Sequence, residues 1–208
     1  MMDELQTLTI LYTSHLRGNL DALPRLYTFL QMLRQQYDPR AVLLDLGESC
    51  APDIWHCRAT SGRSTLIVLD GMGYHAASVS GLLQAGERSK LRGVISMALL
   101  DHGDAWRYHM PPISDEGILF STAPNPALRL CVLVQPAEQT TLQERLVTLQ
   151  DTPPDMVGLA QVDLRGEARL IAADLLPVPA GLAADLSIRY AVEFVEEEAR
   201  HFERQQRG

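Results

Sequence analysis

The chain has 208 residues, of which 46% are hydrophobic, and a formal net charge of −8. This length favours one domain with one substantial core. The acidic balance argues against a surface for nucleic acid or acidic lipid, because phosphate binding depends on an excess of Lys and Arg. No apolar run approaches the roughly 20 residues that span a bilayer, and no secretory leader pattern opens the sequence. We therefore expect a cytoplasmic protein that binds neither nucleic acid nor membrane.

The first predicted strand is the apolar run at residues 8–12, which ends abruptly in small and polar residues. Such a run is typical of a buried strand that stops at the rim of a parallel sheet, where sites are built. A helix is predicted from about residue 24 to residue 37, because apolar residues recur there at helical spacing. The apolar run at residues 41–46 predicts a second buried strand and completes a βαβ unit.

The middle of the chain predicts a polar loop at residues 50–63, a helix at 64–71 and a strand at 91–99. Residues 100–118 are rich in polar and aromatic side chains. We interpret them as a surface hairpin in which Trp106 and Tyr108 pack on one face. The alternative is a metal site formed by Asp101, His102 and His109.

A further strand is predicted at residues 128–134. The segment that begins at Thr140 offers a capping box, and Leu142, Leu146 and Leu149 follow at helical spacing, so we expect a helix there. A β-hairpin is predicted around the turn at residues 165–167.

From about residue 184 the sequence predicts one long amphipathic helix with an apolar stripe. The stripe consists of Ile188, Val192, Val195, Ala199 and Phe202. We therefore divide the chain into a domain at residues 1–183 and a helix at 184–208 that packs on that domain or on a partner. A homodimer or a complex with another protein through this helix is expected.

The three cysteines, Cys50, Cys57 and Cys131, are an odd number without the spacing of paired metal ligands. We expect two buried or partly buried thiols and one loop thiol. A weak soft-metal site that includes His56 is the alternative.

Three segments carry a resemblance to a known family: Thr13-Ser-His-Leu-Arg-Gly-Asn19, Leu44-Asp-Leu-Gly-Glu48 and residues 60–77. They resemble motifs of the 5'-nucleotidase-like (calcineurin-like) metallophosphoesterases, which bind two metal ions at the carboxyl ends of parallel strands. The resemblance implies an α/β fold, a metallophosphoesterase-like sandwich of mixed β-sheets flanked by helices. The long C-terminal helix would follow it.

The resemblance fails at the residues that bind metal in the family. His15 stands where the family has Asp, Arg17 where it has His, and Glu48 where it has the Asp that bridges the two metals. Leu82 and Leu83 replace the Asn and His of the third motif, and Ala98 replaces a later Asn. A guanidinium cannot be a metal ligand, and leucine has no ligand atom. These six positions are therefore predicted to be vestigial.

We expect a non-catalytic relative of these enzymes that holds no cofactor and acts by binding or assembly. The alternative is a phosphoesterase that hydrolyses a phosphate ester or nucleotide with one divalent metal, Mn or Zn. His15, Glu48 and Asp45 would hold that metal, with His75 or His102 as further candidates. A third interpretation has Arg17 and Asn19 bind an anion without cleaving it.

Overall fold

The computed structural model describes residues 7–109, 117–125 and 130–207. The helices of these residues are α1 (Leu23–Gln36), α2 (Trp55–Ala59), α3 (Arg63–Gly71), α4 (Ala85–Arg92) and α5 (Leu186–Arg207). The strands are β1 (Thr7–Thr13), β2 (Val42–Asp45), β3 (Ala76–Ser78), β4 (Ala98–Leu100), β5 (Ala105–Tyr108), β6 (Ile118–Ser121), β7 (Cys131–Ala137), β8 (Thr141–Gln143), β9 (Leu146–Gln150), β10 (Met156–Asp163) and β11 (Arg169–Pro177).

The strands form two mixed sheets. The larger sheet has the order β11-β10-β1-β2-β3-β4, and its four strands from β1 to β4 run parallel. The hairpin of β10 and β11 adds two antiparallel strands next to β1. The smaller sheet has the order β5-β6-β7-β9-β8 and also mixes parallel and antiparallel pairs.

Both faces of the larger sheet are buried, and each face supports its own core. Alternate residues of β1 point to opposite faces. Ile10 and Tyr12 join a cluster with residues of the smaller sheet such as Phe120, whereas Leu11 joins a cluster with α1, α3 and α5. The layers are therefore helices, large sheet and small sheet, which confirms the predicted sandwich. Burial on both faces also explains the continuous apolar runs at residues 10–12 of β1 and 42–44 of β2.

Several predicted elements are confirmed, including α1, α3, the strand at 41–46 and the β10–β11 hairpin. The predicted strand at 91–99 is wrong for most of its length, because residues 91 and 92 end α4 and the strand begins at Ala98. The predicted loop at 50–63 contains the short helix α2. Residues 110–116 of the predicted hairpin and residues 128 and 129 of the predicted strand lie outside the described residues.

The predicted helix after Thr140 is wrong, because this segment forms the antiparallel pair β8–β9. Val147 and Leu149 are both fully buried at a spacing of two, which is the period of a strand. The Thr140 hydroxyl, assigned to a helix cap, instead accepts a hydrogen bond from the backbone N–H of Gln150. Glu144 has a φ of +53°, which reverses the chain between the two strands.

Helix α5 packs against α1, α2 and α3 of its own chain. Its predicted stripe supplies Ile188, Val192 and Val195 to the core cluster on the helical face of the large sheet. A salt bridge one turn apart lies on the polar side of the helix, where an Arg200 nitrogen is 2.9 Å from Glu196 Oε2. The division at residue 183 remains a prediction.

A glycine in β10 makes room for a large buried side chain of β1. Gly158 lies opposite Tyr12, and a Cβ at this glycine would come within 2.0 Å of the Tyr12 ring. Tyr12 is 1% exposed, and its hydroxyl lies 3.0 Å from Thr140 Oγ1. Tyr12 therefore connects the two sheets, and it needs a neighbour without a side chain.

We predict that Gly158→Ala lowers the free energy of unfolding by about 1–3 kcal/mol, because the added methyl group overpacks a rigid site. Urea unfolding measures this change. Gly86→Ala is the matched control, since a Cβ at Gly86 in α4 meets nothing within 4 Å. The control is expected to be neutral or to stabilise by up to about 1 kcal/mol. Equal effects of the two substitutions would contradict the overpacking argument.

Candidate functional site

The candidate site lies where β1 and β2 end side by side. Because the two strands are parallel neighbours, the loops that follow them leave the same edge of the sheet. Backbone hydrogen bonds join these loops: Arg17 N donates to the Glu48 carbonyl and Gly18 N to the Ser49 carbonyl, both at 2.9 Å. The loops that carry the first and second resemblance motifs therefore lie side by side, as the sequence predicts. We call this region the corner.

The backbone at this corner is strained. His15, Arg17 and Glu48 have φ values of +54°, +50° and +54°, in the left-handed region that non-glycine residues seldom occupy. Such conformations cost of order 1–3 kcal/mol each and cluster at functional sites in proteins. The three residues that depart from the family's metal ligands in these two loops are thus held in special backbone conformations.

The imidazole of His15 lies between two carboxylates. His15 Nδ1 is 2.9 Å from Glu48 Oε2, and His15 Nε2 is 2.9 Å from Asp151 Oδ1. Asp151 follows β9, and it also accepts a hydrogen bond of 2.7 Å from the Ser14 hydroxyl. Ionised carboxylates only accept hydrogen bonds, so this arrangement is satisfied when both ring nitrogens carry a proton.

The charge of His15 depends on these neighbours. Partial burial lowers the pKa of the imidazole, but the hydrogen bond to Glu48 and the negative charge of Asp151 raise it by more. The pKa therefore lies above its ordinary value of 6.5. Sequence reasoning identified His15 and Glu48 but missed Asp151, because it placed that residue at the end of a helix that does not form.

Arg17 lies at the outer rim of the corner. Its side chain is 59% exposed, and a guanidinium nitrogen is 3.7 Å from Glu48 Oε2. Asn19, the other candidate for anion binding, is exposed and precedes a 3-10 turn at Leu20–Ala22. Arg17 therefore shares the negative charge of Glu48 with His15, which weakens its attraction for an external anion.

Asp45 is separate from this cluster of charges. Its carboxyl group is fully buried, and Oδ2 has no hydrogen-bond partner. Thr13 Oγ1 is 3.5 Å from the other oxygen and 3.0 Å from the Tyr74 hydroxyl. Burial raises the pKa of Asp45 well above its ordinary value, which favours the neutral acid. Asp45 thus lies within a buried polar group beneath the loops.

The other three positions that the sequence predicts to be vestigial carry apolar side chains. Leu83 is buried in the core cluster next to the helices, and Leu82 packs against the same cluster over Gly62. Ala98 packs against the cluster between the two sheets. None of these three side chains has an atom that could bind a metal ion.

The other candidate ligands lie elsewhere or have other partners. His75 immediately precedes β3, so it lies at the opposite edge of the parallel strands, and its Nδ1 accepts a hydrogen bond from Leu43 N. Asp101 and Asp104 are paired with Arg88 at 3.2 and 2.7 Å. His102 is exposed.

The donor atoms at the corner do not converge as metal ligands do. The imidazole of His15 separates the carboxylates of Glu48 and Asp151 instead of sharing a central point with them. In residues 7–109, 117–125 and 130–207, one group of three such ligand atoms lies within 4.8 Å, formed by Cys50, His56 and Cys57. The residues at the corner therefore do not fit a dinuclear metal centre as they are arranged.

The prediction that all three cysteines are thiols is wrong for two of them. Cys50 and Cys57 form a disulfide, which closes the loop between β2 and α2, and Cys131 is a buried free thiol. A cleft of about 480 Å³ lies between this loop and the segment that carries Leu82, and Glu48 also lines it.

Among the described helices, none is both long and apolar enough to cross a bilayer.

No protein-family model matches the sequence, and no curated protein sequence matches it. Solved structures do match its fold. The calcineurin-like phosphoesterase YfkN from Bacillus subtilis aligns with a TM-score of 0.62 at 9% identity, over 96% of this chain and 99% of that one. The sulfate thiohydrolase SoxB from Thermus thermophilus aligns with a TM-score of 0.63 at 10% identity, over 93% of this chain and 61% of that one.

A 5'-nucleotidase precursor from Thermus thermophilus aligns with a TM-score of 0.57 at 11% identity. That alignment covers 94% of this chain and 59% of the nucleotidase, so the chain spans about three fifths of the longer relatives. Similarity at this level of identity concerns the fold. The chain has the fold of the calcineurin-like phosphoesterases and 5'-nucleotidases, as the three sequence motifs predict.

Proposed function

We propose that this chain is a non-catalytic relative of the 5'-nucleotidase-type metallophosphoesterases that acts by binding or assembly. The observation that carries the proposal is the position of His15 between Glu48 and Asp151. In this arrangement a protonated imidazole supplies the positive charge that offsets two carboxylates. An internal ion-pair network then replaces the metal ions at the corner.

The chemistry of the imidazole supports this interpretation. A histidine binds metal through a lone pair on a neutral ring, and His15 with both nitrogens protonated has no such lone pair. Glu48 and Asp151 would each have to leave His15 before they could face a common ion. The apolar side chains of Leu82 and Leu83 add no ligand after the end of β3, and Ala98 begins β4 at the opposite edge of the parallel strands.

The alternative is a phosphoesterase with one metal, held by His15, Glu48 and Asp45. The strained backbone at His15 and Glu48 favours a retained ligand site, because such strain is common where a protein positions reactive groups. Against this alternative, Asp45 is buried and its pKa is raised by that burial, so it would have to lose a proton in an apolar setting. We therefore prefer the non-catalytic proposal.

The assembly part of the proposal depends on the outer side of α5. Leu186, Tyr190 and Phe194 lie one turn apart and are 61%, 67% and 62% exposed. A helix with a second apolar side beside the one that packs on its own domain is typical of an interface. An antiparallel pair of α5 helices centred on Tyr190 would set Leu186 of one copy opposite Phe194 of the other. A second copy of the chain is the partner that we propose.

We predict that the protein with its disulfide intact binds no stoichiometric Mn²⁺ at the corner and does not hydrolyse generic phosphomonoesters or phosphodiesters. Elemental analysis after dialysis against Mn²⁺ and a chromogenic hydrolysis assay test this. Manganese is chosen because oxygen and imidazole ligands suit it, whereas sulfur ligands do not. One bound Mn²⁺ and turnover that are both lost in His15→Ala and Glu48→Ala would make the chain a hydrolase.

We predict that His15→Asn lowers the free energy of unfolding by about 1 kcal/mol at mildly acidic pH, because it removes a cation from two partly exposed carboxylates. Asparagine is chosen because it tolerates the left-handed φ at this position. The folded pKa is raised, so the stabilisation is fully present below the unfolded pKa near 6.5 and is lost as pH rises through the folded pKa.

Urea unfolding of wild type and variant across this pH range measures the difference. His102→Asn, a change at an exposed histidine outside the corner, is the matched control and is expected to unfold as the wild type does. A difference between His15→Asn and wild type that stays constant with pH would contradict a charged His15.

We predict that the chain self-associates and that the double variant Tyr190→Ser and Phe194→Ser does not, because burial of these side chains drives the association. Sedimentation velocity at several concentrations measures it against the chain mass of 23.1 kDa. Val94→Ser is the control, since Val94 is 77% exposed and lies outside α5. Wild-type protein that keeps the mass of one chain at all concentrations would exclude the homodimer.

A further inference from the structure

A second group of ligand-type side chains lies beside the corner, in the loop between β2 and α3. Cys50, His56 and Cys57 are all buried, and one ligand atom from each lies within 4.8 Å of the others. We propose that the reduced chain binds one Zn²⁺ through these three side chains. The disulfide and the metal are then alternative ways to close the same loop. This inference does not depend on the proposed function.

The hydrogen bonds of His56 favour the tautomer that has a lone pair on Nδ1, which a metal ligand needs. His56 Nε2 is 3.0 Å from the Gly18 carbonyl oxygen, which can only accept, so Nε2 carries the proton. Nδ1 then has the lone pair, and it accepts a hydrogen bond from the Ser64 hydroxyl at 2.8 Å. Metal-binding histidines commonly donate their other ring N–H to a backbone carbonyl in this way.

The two cysteines can reach one tetrahedral ion with a small movement. Sulfur atoms that lie about 2.3 Å from a tetrahedral Zn²⁺ are about 3.8 Å apart. The Cα atoms of Cys50 and Cys57 are 5.7 Å apart, so side-chain rotation separates the sulfurs after the bond is reduced. The cleft of about 480 Å³ that both cysteines line gives water access as the fourth ligand.

The conversion of the disulfide form into the zinc-bound form is balanced in atoms and electrons. Two equivalents of a small thiol reduce the Cys50–Cys57 bond, giving two protein thiols and one small-molecule disulfide. Zn²⁺ then displaces the two thiol protons and binds the two thiolates and His56 Nδ1, from which the Ser64 hydroxyl withdraws its hydrogen bond. A small-molecule disulfide reverses the process by thiol–disulfide exchange: it accepts two electrons from the thiolates and, with two protons, becomes two small thiols, while the Cys50–Cys57 bond forms again and Zn²⁺ is released. The site thus senses both thiol redox state and zinc.

The test is a Co²⁺ titration of the full chain, because a cobalt thiolate absorbs by charge transfer and reports its ligands. After reduction by a phosphine, we predict one equivalent of Co²⁺ with a thiolate charge-transfer band that Zn²⁺ displaces. The oxidised chain is predicted to give no band. Cys131→Ser is the matched control, since Cys131 is the third cysteine and is buried elsewhere, and it should behave as wild type.

Cys57→Ser should remove the band, and His56→Ala should weaken binding at least about tenfold, since a ligand contributes more than its supporting partners do. Zn²⁺ should also raise the thermal midpoint of the reduced wild type but not of reduced Cys57→Ser. The proposal is overturned if the reduced wild type gives no band. It is also overturned if His56→Ala binds as tightly as wild type, or if the reduced chain unfolds and Zn²⁺ does not restore it.

Discussion

The parallel pairing of β1 with β2 is the constraint on which the rest of the structure depends. Both strands are buried on both faces, so apolar residues dominate their middle and polar residues lie at the edge where the strands end. The two loops that leave this edge bind each other through backbone hydrogen bonds. As a result, two segments about 30 residues apart in the chain meet in one region. This region contains His15, the carbonyl of Gly18, Glu48 and Cys50.

In the function that we propose, electrostatic interactions within the chain take the place of a bound cation in this region. A corner that gathers carboxylates needs positive charge, and His15 supplies it from within the chain while Arg17 adds a weaker contribution at the rim. The fold is that of the phosphoesterases, whereas Leu82 and Leu83, which follow β3, have no atom that could bind a metal ion. Our proposal is therefore that this scaffold has kept its packing and lost its chemistry, since function depends on the site and not on the fold.

The sequence predicts the elements whose apolar period is unambiguous, such as α1, β2, α3 and α5. It fails after Thr140, where Leu142, Leu146 and Leu149 fit a helix while Val147 and Leu149 fit a strand, and only contact with the small sheet decides between them. The sequence does not predict the contact between Asp151 and His15, because the two residues are far apart in the chain. The Cys50–Cys57 disulfide was missed because helix α2 brings the two residues together, and their spacing alone does not.

The central claim is that His15 is an imidazolium held between two carboxylates. Nitrogen-15 NMR of the histidine rings, with His15 assigned by comparison with His15→Asn and with the disulfide intact, tests it most directly. The account predicts that both His15 nitrogens are protonated at about pH 6, that the pKa lies above 6.5, and that added Zn²⁺ leaves both resonances unchanged. A deprotonated ring nitrogen that shifts with one equivalent of Zn²⁺ would contradict it and identify His15 as a metal ligand.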